Sequence, residues 1–426
     1  MKNINKECSP HLIFPEFVKK KWNFLPLKNI ATIRNERAGN KKCILLSVSS
    51  GIGLISQKEK FGREIAGKQY ERYFLVYEND FVYNKSATKT YPQGTINLYY
   101  NKDLAAVPSS IFMCFYVDFN IINVFYLKYL FEFNIHGKWL KNFITTGARA
   151  HGSFNIDSKD FLSIPIPIPL GEKSLSEQQK IADCLSSLDE LIEAHEQKLD
   201  ALKQHKKGLM QRLFPAEGET TPRWRFPEFR NAGEWENIAL GKLLMQSPDY
   251  GVNAPAVPYS STLPTYIRIT DISDNGKFIK EKMMSVNIEV TEKNYLHTGD
   301  IVLARTGASV GKSYKYQETD GSLVFAGFLI RISPDINKSN SEFINQFFHT
   351  QQYWNWVHFT SMRSGQPGIN GTEYASLPVP IPSLPEQQKI ADCLTSIDEQ
   401  IEAQKEKIKA LKEHKKGMMQ QLFPSL

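Results

Sequence analysis

Cysteine is scarce in this sequence and forms no pattern. Cys8, Cys43, Cys114, Cys184 and Cys393 make an odd set of five with no CxxC pair. That excludes a disulfide framework and a zinc ribbon, and a reducing cytoplasm is the expected location. Long apolar runs are also missing. The nearest to one, IFMCFYVDFNIINVFYLKYLF from Ile111, is broken by Asp118, Asn120, Asn123 and Lys128. A charge near a bilayer centre costs about 3 kcal/mol without a partner, so this stretch reads as a buried strand followed by a helix, and no membrane partner is expected. The opening MKNINKECSPHLIF has no apolar signal core. The histidines show no HxxxH or HExxH spacing, so no metal site is expected, and nothing marks a nucleophile.

What is present is an ordinary globular composition: 41% hydrophobic, 12% aromatic and 23% charged residues. Collagen-like, disordered and miniprotein classes are ruled out. The 426 residues suggest two or three domains. An excess of 52 Lys and Arg over 45 Asp and Glu gives +7, which favours a polyanionic partner without identifying it.

The chain is written twice. LSEQQKIADCLSSLDELIEAHEQKLDALKQHKKGLMQRLFP from Leu175 returns as LPEQQKIADCLTSIDEQIEAQKEKIKALKEHKKGMMQQLFP from Leu384, identical at roughly 29 of 41 positions. Before each copy lies a proline-alternating strip, SIPIPIPL from Ser163 and SLPVPIPS from Ser376. Each half opens with FPEF (Phe14 to Phe17, Phe226 to Phe229), then Trp22 or Trp235 and an apolar run. The bodies between these landmarks diverge, as suits a scaffold presenting two different reading surfaces. The expected domains are a first body over 1–162, strip and helix over 163–215, a second body over 216–375, and strip and helix over 376–426.

Both copies carry a heptad seam. In the first, Ile181, Leu185, Leu188, Ile192, Leu199, Leu202, Leu209 and Leu213 alternate by threes and fours, with His195 and Lys206 in two polar slots. In the second, Ile390, Leu394, Ile397, Ile401, Ile408, Leu411, Met418 and Leu422 do so around Gln404 and Lys415. Ser174 with Glu177, and Ser383 with Glu386, suggest capping boxes, and the Phe-Pro pairs at 214–215 and 423–424 suggest stops. The matching stripes are expected to pair, with antiparallel direction suggested by the pseudo-two-fold repeat. The alternative is that each helix packs on its own domain or on a second copy of the chain. Cys184 and Cys393 read as packing thiols at the seam edge.

The doubled helices, PIPIP strips and tandem bodies resemble the specificity subunit of type I restriction–modification enzymes over essentially the whole chain. The resemblance implies an α+β fold: two tandem mixed α/β target-recognition domains separated by two long conserved helices that form an antiparallel coiled coil. It implies a non-catalytic subunit that recognises a bipartite double-stranded DNA site and directs methyltransferase and restriction subunits to it. S-adenosylmethionine, ATP and Mg are then expected on those partner subunits and no cofactor in this chain. Consistent with this, no NPPY or DPPF type tetrapeptide and no FxGxG loop occurs, the nearest string being FAGFL at Phe325. GASVGKS, from Gly307 to Ser313, has three residues between its glycines where a phosphate-binding P-loop has four. It reads as a turn whose Arg305, Lys312 and N–H groups face phosphate or base edges.

DNA recognition needs cations for phosphates and planar polar groups for base edges. In the second body the candidates are Arg268, then Arg305, Thr306, Ser309, Lys312, Ser313 and Tyr314, and in MRSGQPGIN Arg363, Gln366 and Asn370. In the first they are Lys85, Lys89 and Tyr91 in NKSATKTYPQGT, and Arg149, His151, Ser153 and Asn155 in GARAHGSFN. GARAHGSFN and RSGQPGIN stand at matching places before the two strips. Strands are expected at NDFVYNK, SSIFMCFYVD, GDIVLAR and LVFAGFLIRIS, with aromatic helices at FNIINVFYLKYLF and SEFINQFFHTQQYWNWV. Two other functions compete: an autonomous nuclease or methyltransferase, for which no motif is found, and a stand-alone DNA-binding or coiled-coil scaffold.

Overall fold

The structure, a computed structural model, describes residues 9–18, 21–49, 53–65, 67–87, 91–143, 156–362 and 366–424. The chain forms two compact units: Met1–Glu196 with Glu406–Leu426, and Gln197–Lys405.

In the first unit the strands are β1 (Trp22–Pro26), β2 (Ala31–Arg34), β3 (Ile44–Ser49), β4 (Gly53–Ser56), β5 (Phe74–Val76), β6 (Phe81–Asn84), β7 (Thr95–Leu98), β8 (Ala105–Val107), β9 (Phe112–Val117) and β10 (Pro165–Pro169). They form sheets ordered β2-β9-β6-β7 and β4-β3-β8-β5 and the pair β1-β10. The second unit has β11 (Glu236–Ala239), β12 (Asp249–Tyr250), β13 (Ala256–Pro258), β14 (Thr265–Ile267), β15 (Met284–Val286), β16 (Ile301–Ala304), β17 (Ser313–Lys315), β18 (Leu323–Phe325), β19 (Leu329–Ile332) and β20 (Pro378–Ile381). Its sheets are ordered β12-β19-β16-β17 and β13-β15-β14-β18, with the pair β11-β20. The sheet β2-β9-β6-β7 and the pair β1-β10 return as β12-β19-β16-β17 and β11-β20, antiparallel throughout, whereas the remaining sheets differ: the parallel pair is central in the first unit (β3 with β8) and at the edge in the second (β14 with β18).

The proline strips are the strands β10 and β20, and their alternation explains how proline is tolerated there. Trp22 to Pro26 of β1 faces Pro169 to Pro165 of β10. Alternate prolines put every missing N–H on the edge turned away from β1, while Ile166 and Ile168 keep theirs for the ladder. Two proline carbonyls find hydroxyl donors: Tyr126 donates to Pro167 at 2.7 Å and Ser174 to Pro169 at 2.6 Å.

The helices are α1 (Gln57–Phe61), α2 (Val124–Glu132), α3 (Ile135–Leu140), α4 (Ser158–Phe161), α5 (Ser174–Leu213), α6 (Ser341–Phe347), α7 (Gln351–Ser361), α8 (Gly371–Ser376) and α9 (Leu384–Leu422). The stretch from Ile111 is indeed strand β9 and then helix α2, which Asn123 caps by accepting from the Tyr126 N–H. Two expected elements divide. The aromatic helix after Ser341 breaks at Thr350, whose hydroxyl caps α7 by accepting from the Tyr353 N–H. LVFAGFLIRIS breaks into β18 and β19, which belong to different sheets. Its turn packs on Gly251, where a Cβ would lie only 2.1 Å from the Phe325 carbonyl oxygen.

At 1.5 Å per residue α5 and α9 are each about 60 Å long, and both stop one residue before their Phe-Pro pair. All sixteen expected seam residues are buried or half-buried. The pattern slips only near the end of α9, where Met419 is buried and Met418 half-buried, because that turn lies on the core of the first unit. Pairing is antiparallel. In the first unit Lys415 reaches Asp189 at 2.6 Å and Lys412 reaches Glu196 at 2.6 Å. In the second, Lys206 reaches Asp398 at 2.6 Å while Leu209 and Leu213 share a core with Ile390 and Leu394. The two lysine slots, Lys206 and Lys415, thus hold reciprocal ion pairs. Burial works against the Asp189 carboxylate, but the Lys415 ammonium outweighs it and holds the carboxyl below its ordinary pKa.

The residues expected as capping boxes serve another purpose. Glu177 accepts from the Trp22 indole N–H at 3.3 Å, and Glu386 takes both arms of Arg225, at 2.8 and 2.5 Å. Both carboxylates tie a long helix to its body. Cys184 and Cys393 are half-buried free thiols whose pKa burial raises.

Each unit has an aromatic core. In the first, Trp22, Phe81, Phe115, Tyr126 and Phe161 meet Ile181 and Leu185 of α5 and Phe423, beyond the end of α9. In the second, Trp235, Phe343, Phe347 and Tyr374 meet Phe214, beyond the end of α5, and Leu394 of α9.

Candidate nucleic-acid interface

Two of the expected loops come together in the second unit. The loop after β16 is stitched to the segment before α8: the Ile369 N–H donates to the Arg305 carbonyl at 2.9 Å, the Gly307 N–H to Pro367 at 3.0 Å, and Thr306 bridges Gly368. Gly307 has φ +74°, and a Cβ there would meet the Gln366 amide nitrogen at 3.1 Å. The left-handed conformation favours glycine here, and Gln366, an exposed side chain, packs closely on it. Gln366 and Asn370 are exposed, and Thr306, Ser309 and Arg305 are half-exposed. Asn370 spends its side-chain oxygen capping α8, accepting from the Glu373 N–H at 2.9 Å.

The Arg305 guanidinium lies over the ring of Tyr250, 5.0 Å from its centre. The Tyr250 hydroxyl accepts from the Gly371 N–H at 2.9 Å, so β12 and α8 hold the ring in place. Phe328 is 59% exposed beside this loop and accepts the Arg305 N–H at its carbonyl. Tyr250 and Phe328 escape a search of the sequence for cations and amides. The signal that marks them is each one's neighbouring glycine, Gly251 and Gly327, at which the backbones of the two segments approach closely.

Four expected residues need correction. Ser313 and Tyr314 lie on β17 and are 3% and 1% exposed, and the Tyr314 hydroxyl donates to Asp320 at 2.7 Å. They are core residues. Arg268 is held in both arms by the buried Asp271 at 2.7 Å. Lys312 reaches Asp274 at 2.8 Å and the Ile272 carbonyl at 3.4 Å. The N–H groups of Gly307, Val310, Gly311 and Lys312 donate to carbonyls of the fold. GASVGKS is a turn, but these four N–H groups are spent within the fold rather than offered to phosphate.

In the first unit Lys85 and Tyr91 are half-buried. The Lys85 N–H donates to the Ile111 carbonyl at 3.0 Å, and burial lowers the pKa of its ammonium. Lys89, Arg149, His151, Ser153, Asn155 and Arg363 lie outside the described residues. Among the described residues no helix is long and apolar enough to cross a membrane. No group of three or more His, Cys, Asp or Glu among them is placed to hold a metal ion.

Two frames of one design, each carrying its own set of loops, define a protein with two related but unequal working surfaces. Residues 19–204 and 253–413 both match the family described as Type I restriction modification DNA specificity domain, and the chain belongs to that family. It is 26% identical over 297 residues to the type I restriction enzyme MjaVIII specificity subunit of Methanocaldococcus jannaschii, covering 67% of each chain. The putative MjaX specificity subunit of the same organism is 26% identical over 323 residues, 71% of this chain and 68% of that one. In fold it is similar to the crystal structure of a type I restriction–modification S subunit from M. genitalium. The TM-score is 0.59 and the identity 15%, over 98% of this chain and 100% of that one. A chain from a structural study of type I assembly gives a TM-score of 0.55 at 15% identity, over 96% of this chain and 98% of that one.

Proposed function

We propose that this chain is the DNA-reading specificity subunit of a type I restriction–modification assembly. Each unit reads one half of a bipartite double-stranded site, and the stretch between the halves goes unread. The chain catalyses nothing itself: it directs DNA methyltransferase and restriction subunits, which carry S-adenosylmethionine, ATP and Mg. The observation that carries this reading is the recurrence of one four-stranded sheet, one proline-strip pair and the carboxylate anchors of the long helices in two bodies whose exposed loops differ. Two copies of one active site would keep the same chemical residues, whereas two readers of different half-sites must differ where they meet DNA.

Sequencing the methylated motifs of a host that carries this chain with its neighbouring methyltransferase gene tests the proposal. Exchange of residues 20–160 for those of another family member should change one half of the motif and leave the other intact. If both halves change together, the two units do not read independently. Binding to DNA without any methyltransferase partner would favour a stand-alone scaffold.

A further inference from the structure

The two units differ in sequence along their exposed edges, yet backbone hydrogen bonds place one position of each in exact correspondence. Asp80, before β6, accepts from the Tyr77 N–H at 2.8 Å, and Asp300, before β16, accepts from the His297 N–H at 2.9 Å. The Asp80 carbonyl takes the Tyr99 N–H at 2.8 Å, and the Asp300 carbonyl takes the Tyr316 N–H at 2.9 Å. Four strand residues follow in both cases. The next residue is Lys85 in the first unit and Arg305 in the second. Lys85 donates its N–H to Ile111 at 3.0 Å, and Arg305 donates its own to Phe328 at 3.1 Å. Both acceptors are outward-facing apolar residues, 37% and 59% exposed.

These two cations are set apart from their neighbours by what they do not hold. Arg34, Arg225, Arg268, Arg331 and Lys312 are each paired with a carboxylate. Among the described residues, neither Lys85 nor Arg305 is. The Arg305 guanidinium instead rests against the Tyr250 ring, its carbon 5.0 Å from the ring centre, and its N–H edge is unspent among the described residues. A planar fork held this way matches the O6 and N7 acceptors that guanine shows in the major groove. Lysine offers the same acceptors a single ammonium without the fork. The exposed side chain beside each cation supplies an apolar surface suited to a thymine methyl group.

We propose that Lys85 with Ile111, and Arg305 with Phe328, are the matching base-reading positions of the two halves, each cation donating to a guanine edge and each apolar partner lying on the adjacent base pair. This rests on the DNA-reading function proposed above. It gives the two halves one common site of readout with different strengths of discrimination.

The test uses the full chain, with whatever subunits co-purify, on a duplex library randomised across the site. Base frequencies are read after selection by wild type, R305A, R305K, F328A and K85A. Wild type should enrich a motif with guanine at one position in each half. R305A should lower discrimination at its guanine by roughly 5- to 150-fold, R305K by less, and neither should alter the other half. F328A should relax the adjacent position, and K85A should relax the opposite half more weakly than R305A does. Unchanged motifs in R305A and K85A would overturn this inference alone. So would an equal loss on selected and scrambled duplexes with the salt slope reduced by about one, which marks a phosphate contact. A wild-type chain that enriches no motif overturns the DNA-reading function, and this inference falls with it.

Discussion

The two units solve the same electrostatic problem with different residues. Asp80 in the first unit and Asp300 in the second occupy one place and bond the same turn. Asp80 is neutralised by Arg34 from β2 at 2.6 Å, whereas Asp300 has Arg331 from β19 at 3.6 Å, which also holds Asp249 of β12 at 2.7 Å. The buried carboxylate is fixed by the backbone it caps, and its cation comes from whichever neighbouring strand has room. The helix anchors show the same. Glu177 takes the Trp22 indole, while Glu386 takes Arg225, leaving the Trp235 indole N–H without a hydrogen-bond partner among the described residues. A group that serves the frame is thus retained in both halves, and its counterpart is free to change.

Three measurements would break or sharpen this comparison. The largest effect is expected at the seam. Ile401 is buried and Leu188 only half-buried, so Ile401→Asp should cost about 3 to 5 kcal/mol and Leu188→Asp distinctly less. Urea unfolding followed by circular dichroism would show it, and equal costs would mean that the two stripes are buried alike. Next come the anchors. Glu386→Gln leaves Arg225 with a neutral partner in a buried site and should cost about 3 kcal/mol, whereas Glu177→Gln, facing a neutral indole, should cost about 1 kcal/mol. Comparable losses would show that the charge in the second anchor adds nothing.

The third effect appears only at acid pH. His136 is fully buried and its Nε2 meets the Gly94 carbonyl at 3.1 Å; burial pushes its pKa down to about 4 from 6.5. The unfolded chain therefore takes up a proton that the folded one refuses between these values. Stability is fully present above pH 6.5 and falls as pH drops toward 4, by about 2 kcal/mol at pH 5. His136→Gln should keep a donor for Gly94 and flatten that slope. A slope unchanged by the substitution would place its origin in other groups.

Much of the frame is legible in the sequence because its signals are local or periodic. The seam from Ile181 to Leu213 announces a helix by spacing alone, and its copy announces the pairing. The exposed edge is less legible. Tyr314 lies in a Gly- and Lys-rich string that looks like surface, but it alternates with Ser313 on a short strand whose both faces are covered. Arg268 and Lys312 look available until their carboxylates are placed. Asp271 stands three residues from Arg268, while Asp274 reaches Lys312 only through the fold. The strips at Ser163 and Ser376 stand out as repeats, but their role as strands depends on partners more than a hundred residues away.

The membership of Glu406–Leu426 in the first unit has a consequence in time. Phe423 packs against Tyr126 and Phe133, with ring centres 5.7 Å apart in both cases, and the Leu12 N–H donates to the Gln421 carbonyl. On a ribosome adding about 5 to 20 residues per second, roughly 10 to 45 seconds separate the emergence of residue 196 from that of residue 423. The second unit is contiguous in the chain and has all its parts by residue 405, whereas the first, although begun earlier, waits with an aromatic face uncovered. The half translated first is therefore the half completed last, and a nascent chain that has emerged only as far as residue 405 carries a complete second unit and an incomplete first one.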